Sequence, residues 1–151
     1  MENRIHAIAA MTAVVLAIAN VTPRAQAPGA MSLEGTYWKA IELGGKPILS
    51  PADRAPYLIF QAEKRVSGSD GCNRITGSYE LKGAAVTFGQ MASTRMACLD
   101  IGEVDRAFGV ALNSARRLKV VGDRLELSDA AGRRVAIFRA ADQPRAPAGS
   151  R

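Results

Sequence analysis

The sequence predicts a mainly β fold of the α+β class, a small antiparallel β-barrel, closed or cracked, with one packed α-helix at about residues 101–116. Short runs of β-branched, aromatic and leucine residues recur along the chain and are separated by glycine-containing turns. One segment instead repeats its apolar residues at helical spacing. The chain also has two cysteines, and a small secreted domain is commonly stabilised by a disulfide.

The predicted strands have the regular spacing of an antiparallel meander or barrel. We place them at residues 36–43, 57–60, 65–69, 75–81, 85–88, 118–121, 125–127 and 135–138. Lys82-Gly83 and Gly122-Asp123 are expected to form hairpin turns, and residues 129–132 a longer one.

The predicted helix carries its apolar residues on a single stripe, which indicates that it packs on the sheet. The stripe consists of Val104, Ala107, Phe108, Ala111, Leu112 and Ala115. Asp100 and Glu103 have the spacing of a capping box, so the helix is expected to begin near residue 101. Arg116 and Arg117 place positive charge where the helix dipole favours it. A helix that binds a partner through the same stripe is the alternative.

Residues 1–27 are typical of an export signal. The apolar run at residues 5–19 has the length of a signal segment and is short for a membrane span. Cleavage is expected after Ala27, with Ala19 as an alternative site, and an uncleaved membrane anchor is the other interpretation. Because no cysteine in or just after the run can accept a lipid, we expect a periplasmic or secreted protein. Residues 28–32 then form a linker, 33–140 the domain and 141–151 a disordered tail.

Composition excludes several kinds of chemistry. The single histidine, His6, lies in the predicted signal, so the mature chain has no imidazole for a catalytic relay or for a metal. Loops that cradle phosphates are absent from the sequence. We therefore expect no enzyme activity, no metal and no cofactor. Without residues 1–27 the chain keeps 18 basic and 13 acidic residues, scattered along the sequence. This balance favours loose contact with anionic envelope lipids or polymers and does not indicate nucleic-acid binding.

The two cysteines lie in dense motifs. Gly68, Gly71 and Gly77 flank the first one, Cys72, and indicate backbone positions that need positive φ or close approach. The second, Cys98, precedes the predicted helix. A Cys72–Cys98 disulfide would tie the glycine-rich corner to the start of the helix and stabilise the domain by about 3.5 kcal/mol. A structural role is enough to explain both cysteines.

The polar residues of these motifs form a candidate binding patch, made of Asp70, Asn73, Arg74, Thr94 and Arg95. Arginine side chains suit carboxylate or phosphate groups, so one hypothesis is an anion site beside the disulfide. The interpretation that we favour is structural: these side chains satisfy buried backbone groups at an irregular crossing. No pair of carboxylates has a spacing that singles it out as catalytic.

A family resemblance rests on these motifs and on residues at both ends of the domain. They are the glycine-flanked Cys72-Asn73-Arg74 with Gly77, the segment Thr94-Arg95-Met96-x-Cys98, Trp38 ahead of Gly44-Gly45-Lys46-Pro47, and the strands at 125–127 and 135–138. Over residues 33–139 the chain resembles the META domain, the family of the HslJ-like heat-shock lipoproteins. The resemblance implies a secreted or envelope-attached barrel with one helix, similar to the barrels of lipid-binding pilot proteins, and links to heat shock and novobiocin resistance. It implies no catalytic residues, and the missing lipid-accepting cysteine sets this chain apart from the lipoproteins.

Three classes of function follow. The first is a monomeric envelope-stress or binding protein whose barrel holds a hydrophobic small molecule or whose surface meets an envelope protein. Small residues such as Ala40, Ala85 and Ala136 are the support for room inside the barrel, a common ligand site. The second is a protein-interaction module, an inhibitor or a chaperone-like partner. The third, a disulfide redox enzyme that uses Cys72 and Cys98, ranks last.

Overall fold

A computed structural model describes residues 29–50, 54–98 and 103–144, which form ten β-strands and one α-helix. The strands are β1 (Tyr37–Leu43), β2 (Lys46–Pro47), β3 (Tyr57–Gln61), β4 (Arg65–Ser69), β5 (Arg74–Lys82), β6 (Ala85–Phe88), β7 (Ala92–Ser93), β8 (Arg117–Val121), β9 (Arg124–Ser128) and β10 (Arg134–Ala141). The helix, α1, spans Val104–Ser114, and a single 3-10 turn at Ala62–Lys64 joins β3 to β4.

Eight of these strands form a closed antiparallel barrel. Their order is β1, β3, β4, β5, β6, β8, β9 and β10, and β10 pairs with β1 to close the ring. The closing pair runs from Tyr37 opposite Ala141 to Leu43 opposite Ala136, with a register shift between Ala40 and Glu42. Strand β2 lies beside β1, and β7 lies beside β5. The predicted mainly β barrel with one helix is therefore confirmed, and the ring is closed.

One pair of neighbouring strands in the barrel has far fewer paired residues than the others. Strands β6 and β8 share a single residue pair, Ala85 opposite Arg117. Two backbone bonds flank that pair, from the Val86 N–H to the Arg116 carbonyl at 3.0 Å and from the Leu118 N–H to the Ala84 carbonyl at 2.9 Å. The chain between these two strands contains β7 and α1, so the barrel is weakest where the connection is longest.

Large side chains fill the barrel. Trp38, Phe60 and Phe138 are fully buried, and the indole N–H of Trp38 donates to the Leu33 carbonyl at 3.0 Å. The Phe60 ring meets Tyr79 edge to face at 4.9 Å between centroids, an arrangement that aromatic pairs prefer. The small residues Ala40 and Ala136 belong to this core, whereas Ala85 is exposed. Burial alternates along strands such as β4 and β9, and their inward-facing side chains help to fill the interior.

The helix is shorter than its predicted span of 101–116. Glu103 itself is the N-cap residue of α1 and makes no side-chain cap bond, so the expected capping box is wrong in this form. Asp100 lies outside the described residues. The prediction that the stripe packs on the sheet is confirmed for Phe108, Ala111 and Leu112, which are buried. At the other end Arg116 donates to the carbonyls of Asn113 and Ala115, at 2.9 and 2.7 Å, as its position predicts.

The other boundaries differ from the predictions in small ways. All eight predicted strands are present, and the two strands that were not predicted, β2 and β7, have two residues each. Ala141, placed in the tail by the sequence, ends β10. The predicted signal and the rest of the tail after position 144 lie outside the described residues. Among the described residues, no helix is long and apolar enough to cross a membrane.

Candidate functional site

The candidate site is the disulfide corner, which we define as residues 68–77 together with residues 94–98. Strand β4 ends at Ser69 and β5 begins at Arg74, so four residues turn the chain. Gly71 has a φ of +100°, a conformation that side-chain-bearing residues rarely adopt. A Cβ at Gly68 would collide with the carbonyl oxygen of Tyr57 on β3. The predicted need for glycine is therefore met at both positions.

The predicted disulfide is present. It joins Cys72 in this turn to Cys98, with 5.9 Å between the two Cα atoms. Cys98 belongs to the segment that leaves β7 and leads towards α1. The bond therefore fixes the β4–β5 turn against the chain that enters the helix.

Asp70 organises the turn from inside. Its Oδ1 accepts the backbone N–H groups of Cys72 at 2.9 Å and of Asn73 at 2.6 Å. Only 8% of Asp70 is exposed, so these bonds offset the cost of burying a carboxylate. The side chain holds the loop in shape in the manner of an Asx turn.

Asn73 connects the turn to the second segment. Its side-chain oxygen accepts the Met96 N–H at 2.7 Å and the Thr94 hydroxyl at 3.2 Å. Thr94 in turn accepts the Arg74 N–H at 3.1 Å on its own hydroxyl oxygen, and its backbone N–H donates to the Arg74 carbonyl. Three of the five patch residues, Asp70, Asn73 and Thr94, therefore satisfy backbone groups, which agrees with the structural interpretation.

The other two patch residues face solvent. The Arg74 and Arg95 side chains are exposed, and the ion pairs found among the described residues lie elsewhere, at Asp129 and Asp123. Met96 lies next to Arg95 and is 56% exposed. The corner thus places two guanidinium groups and one long apolar side chain on a backbone that a disulfide and a buried hydrogen-bond network hold in place.

The described residues contain no cluster of three or more histidine, cysteine or acidic side chains that could hold a metal ion. Both cysteines are consumed by the disulfide, and the described part of the chain contains no free thiol. The polar groups of the corner are the Asp70–Asn73–Thr94 hydrogen-bond network and the exposed guanidinium groups of Arg74 and Arg95.

The fold and the corner together define the class of protein: a small antiparallel β-barrel domain with one helix and one disulfide. The META domain model matches residues 31–142, and the chain belongs to this family. The resemblance read from the cysteine motifs is thus confirmed. A search among curated proteins found no match.

Solved structures support the fold. Two NMR structures, one of them of a protein from Burkholderia xenovorans, are each 25% identical to the chain with a TM-score of 0.59. They cover 73% and 82% of this chain, which spans 92% and 97% of theirs. A crystal structure of a DUF4847 family protein from Bacteroides vulgatus is 16% identical, with a TM-score of 0.58, and covers 74% of this chain and 96% of its own. At that identity the likeness shows the fold alone.

Proposed function

We propose that the protein acts outside the cytoplasm as a monomeric, non-catalytic binding module that attaches peripherally to anionic envelope lipids through its disulfide corner. The observation that carries this proposal is the exposure of Arg74, Arg95 and Met96 on a rigid frame. Arginine binds phosphate groups well, and an exposed apolar side chain next to an arginine in the chain suits the boundary between headgroups and acyl chains.

The disulfide supports the compartment. Structural disulfides persist in oxidising environments such as the periplasm and the extracellular space. A Cys72–Cys98 bond that ties two segments of the barrel is therefore compatible with an extracytoplasmic protein. The predicted signal at residues 1–27 points to the same place, and the role in envelope stress rests on the family resemblance.

The filled interior favours the outer surface as the binding site. A lipocalin-like carrier needs space inside its barrel, whereas Trp38, Phe60 and Phe138 are completely buried here and occupy it. Ala40 and Ala136 belong to the same core as these rings, so the space that their small side chains leave is part of a packed interior. A hydrophobic molecule held inside the barrel is therefore the less favoured form of the first function class.

The charges of Arg74 and Arg95 set how much their removal should weaken binding to anionic vesicles. Each basic residue near an anionic membrane surface contributes about 1 kcal/mol to binding, so removal of both arginines should weaken binding by about thirtyfold. Lipid headgroups are also a partner that contacts an exposed surface and needs no pocket. An envelope protein as the partner is the alternative.

The test is co-sedimentation of the purified protein with vesicles of phosphatidylglycerol and phosphatidylethanolamine at physiological salt. We expect Arg74→Gln with Arg95→Gln to bind about thirtyfold more weakly, and Arg65→Gln with Arg134→Gln to keep the wild-type affinity, because Arg65 and Arg134 are also exposed but lie outside the corner. Vesicles of phosphatidylcholine alone should not bind the wild type. Equal losses in both double variants, or no binding by the wild type, would refute the proposal. Crosslinking of an envelope protein at the corner would establish the alternative.

A further inference from the structure

We propose that a groove between α1 and β5 is a binding site for a small organic cation, a protonated amine on an apolar chain or ring. The groove has a volume of about 200 Å³ and shares two buried residues, Asp70 and Ile75, with the disulfide corner. Its ligand would carry charge opposite to that of the lipid headgroups, so this site goes beyond the proposed function.

The floor of the groove is apolar and rigid. It is formed by Ile75 on β5 and by Phe108 and Leu112 on α1, all of them buried members of the core. Met91 adds a half-buried flexible side chain at one side. A ligand in this groove would cover apolar surface on side chains that are already ordered, and therefore would not have to order its own site.

The rim is acidic. Asp105 is half-buried in the first turn of α1, and its Oδ1 accepts the N–H of Arg106 at 2.7 Å. Among the described residues, the ion pairs lie at Asp129 and Asp123, so neither Asp105 nor Asp70 has a cationic partner. The second oxygen of Asp70 receives only a long bond of 3.4 Å from Asn73. Two carboxylates that line a groove together with apolar side chains are complementary to an ammonium group with a hydrocarbon body.

The charge of Asp105 alone does not define a site, since an acidic residue also suits the first turn of a helix. Gly109 supplies the independent observation. It lies in the middle of α1 and lines the groove, and a Cβ built on it meets no atom within 4 Å. Glycine weakens a helix interior, and neither close packing nor a positive φ requires it at this position. Its effect is to keep the groove open beside Asp105.

The size of the groove limits the ligand. A volume of about 200 Å³ corresponds to roughly seven water-sized groups, which matches a six-carbon amine. For so few atoms we expect a dissociation constant on the order of 1 mM. Salt screens charges that lie more than about 8 Å away, so the positive charge that opposes a cation comes mainly from Arg74 and Arg106, the chain neighbours of the lining residues Ile75 and Asp105.

The test is a titration of the disulfide-intact protein with hexylammonium, followed through the NMR signals of the Ser93, Gly109 and Asn113 amides. We expect saturable shifts, weaker shifts with hexanol and none with hexanoate. Asp105→Asn should weaken hexylammonium binding about tenfold, the usual scale for loss of a charged hydrogen-bond partner. Glu103→Gln, at the same end of α1 but outside the groove lining, should leave it unchanged.

A second variant separates the groove from the stability of the helix. Gly109→Leu should fill the groove and abolish binding without lowering the melting temperature, while Val110→Leu on the exposed face should bind as the wild type does. If Gly109→Leu fails to fold, the Asp105→Asn arm still decides. Each of four results would overturn the proposal. They are shifts that do not saturate up to 20 mM hexylammonium, equal binding of hexanoate, full hexylammonium affinity in Asp105→Asn, and full hexylammonium affinity in a folded Gly109→Leu. Arg74→Gln with Arg95→Gln should keep hexylammonium binding, so the two sites can fail independently.

Discussion

Replacement of Cys72 and Cys98 by alanine should remove a large share of the stability of the domain without changing its fold. The disulfide closes a loop with a sequence separation of 26. The bond between Asn73 and the Met96 N–H joins the same two segments and remains in the variant, so the native corner should persist. The expected loss therefore comes mainly from the unfolded chain, which gains freedom when the crosslink is absent.

The magnitude follows from the loop length. In the chain-entropy relation a loop of this size corresponds to a loss of about 3.5 kcal/mol at 25 °C. A domain of this size has a total unfolding free energy of about 5–15 kcal/mol, so the variant should remain folded but be much less stable. With an m-value of about 1.5 kcal/mol/M, the urea midpoint should fall by about 2 M.

The assay is urea unfolding followed by the fluorescence of Trp38, which is fully buried in the barrel. The oxidised wild type, the wild type in reductant and the double alanine variant should be compared, and the last two should agree. The variant should also show a larger m-value, because its unfolded chain exposes more surface. A loss below about 1 kcal/mol would refute the loop-entropy account. Normal stability together with lost vesicle binding would show that the disulfide has a functional role instead.

Two further predictions concern the barrel wall. Gly68→Ala should destabilise the domain by at least about 2 kcal/mol, because its Cβ would meet the Tyr57 carbonyl across the β3–β4 pair. Gly109→Ala should stabilise the domain slightly, because its Cβ meets no atom and alanine favours a helix interior. Thermal unfolding of both variants beside the wild type measures the two effects. Burial and a 3.0 Å hydrogen bond to Glu34 raise the pKa of Tyr79 to about 12. Its contribution to stability is therefore complete below pH 10 and is lost as the pH rises from 10 through 12. In Tyr79→Phe this alkaline decline should be shallower by one proton, about 1.4 kcal/mol per pH unit, in urea titrations; equal slopes would contradict the argument.

Local patterns were sufficient for most of the fold. Strands such as β6 and β9 show their alternation in four or five residues, and turn glycines mark where they end. Strands β2 and β7 were missed because two residues cannot show a period. The start of α1 was placed too early because Asp100 and Glu103 have the spacing of a capping box, and spacing does not reveal which residue is the cap. Closure of the ring by β1 and β10 depends on contacts between the two ends of the domain, which no local pattern contains.

The candidate site shows the same division. Sequence proximity to the cysteines brought Asp70, Asn73 and Thr94 into one hypothesis, and they do share one hydrogen-bond network. It also included Arg74 and Arg95, whose side chains face outwards. The groove was missed, since its lining comes from positions 70 to 113 on several elements. The one local signal was Gly109, a glycine in the middle of the predicted helix.

The pairing of β1 with β10 also determines how this barrel can be held. Because the strands are antiparallel, Tyr37 lies opposite Ala141, and both ends of the domain leave from one rim. Lys39 on β1 pairs with Tyr57 on β3, and Tyr57 pairs with Ser69 at the end of β4. The disulfide corner, which follows Ser69, therefore lies away from that rim, towards the end of the barrel where β1 ends. A surface or affinity tag attached at either end would therefore leave the corner and the groove beside it pointing outwards. Immobilised protein is thus suited to direct capture of whatever binds there.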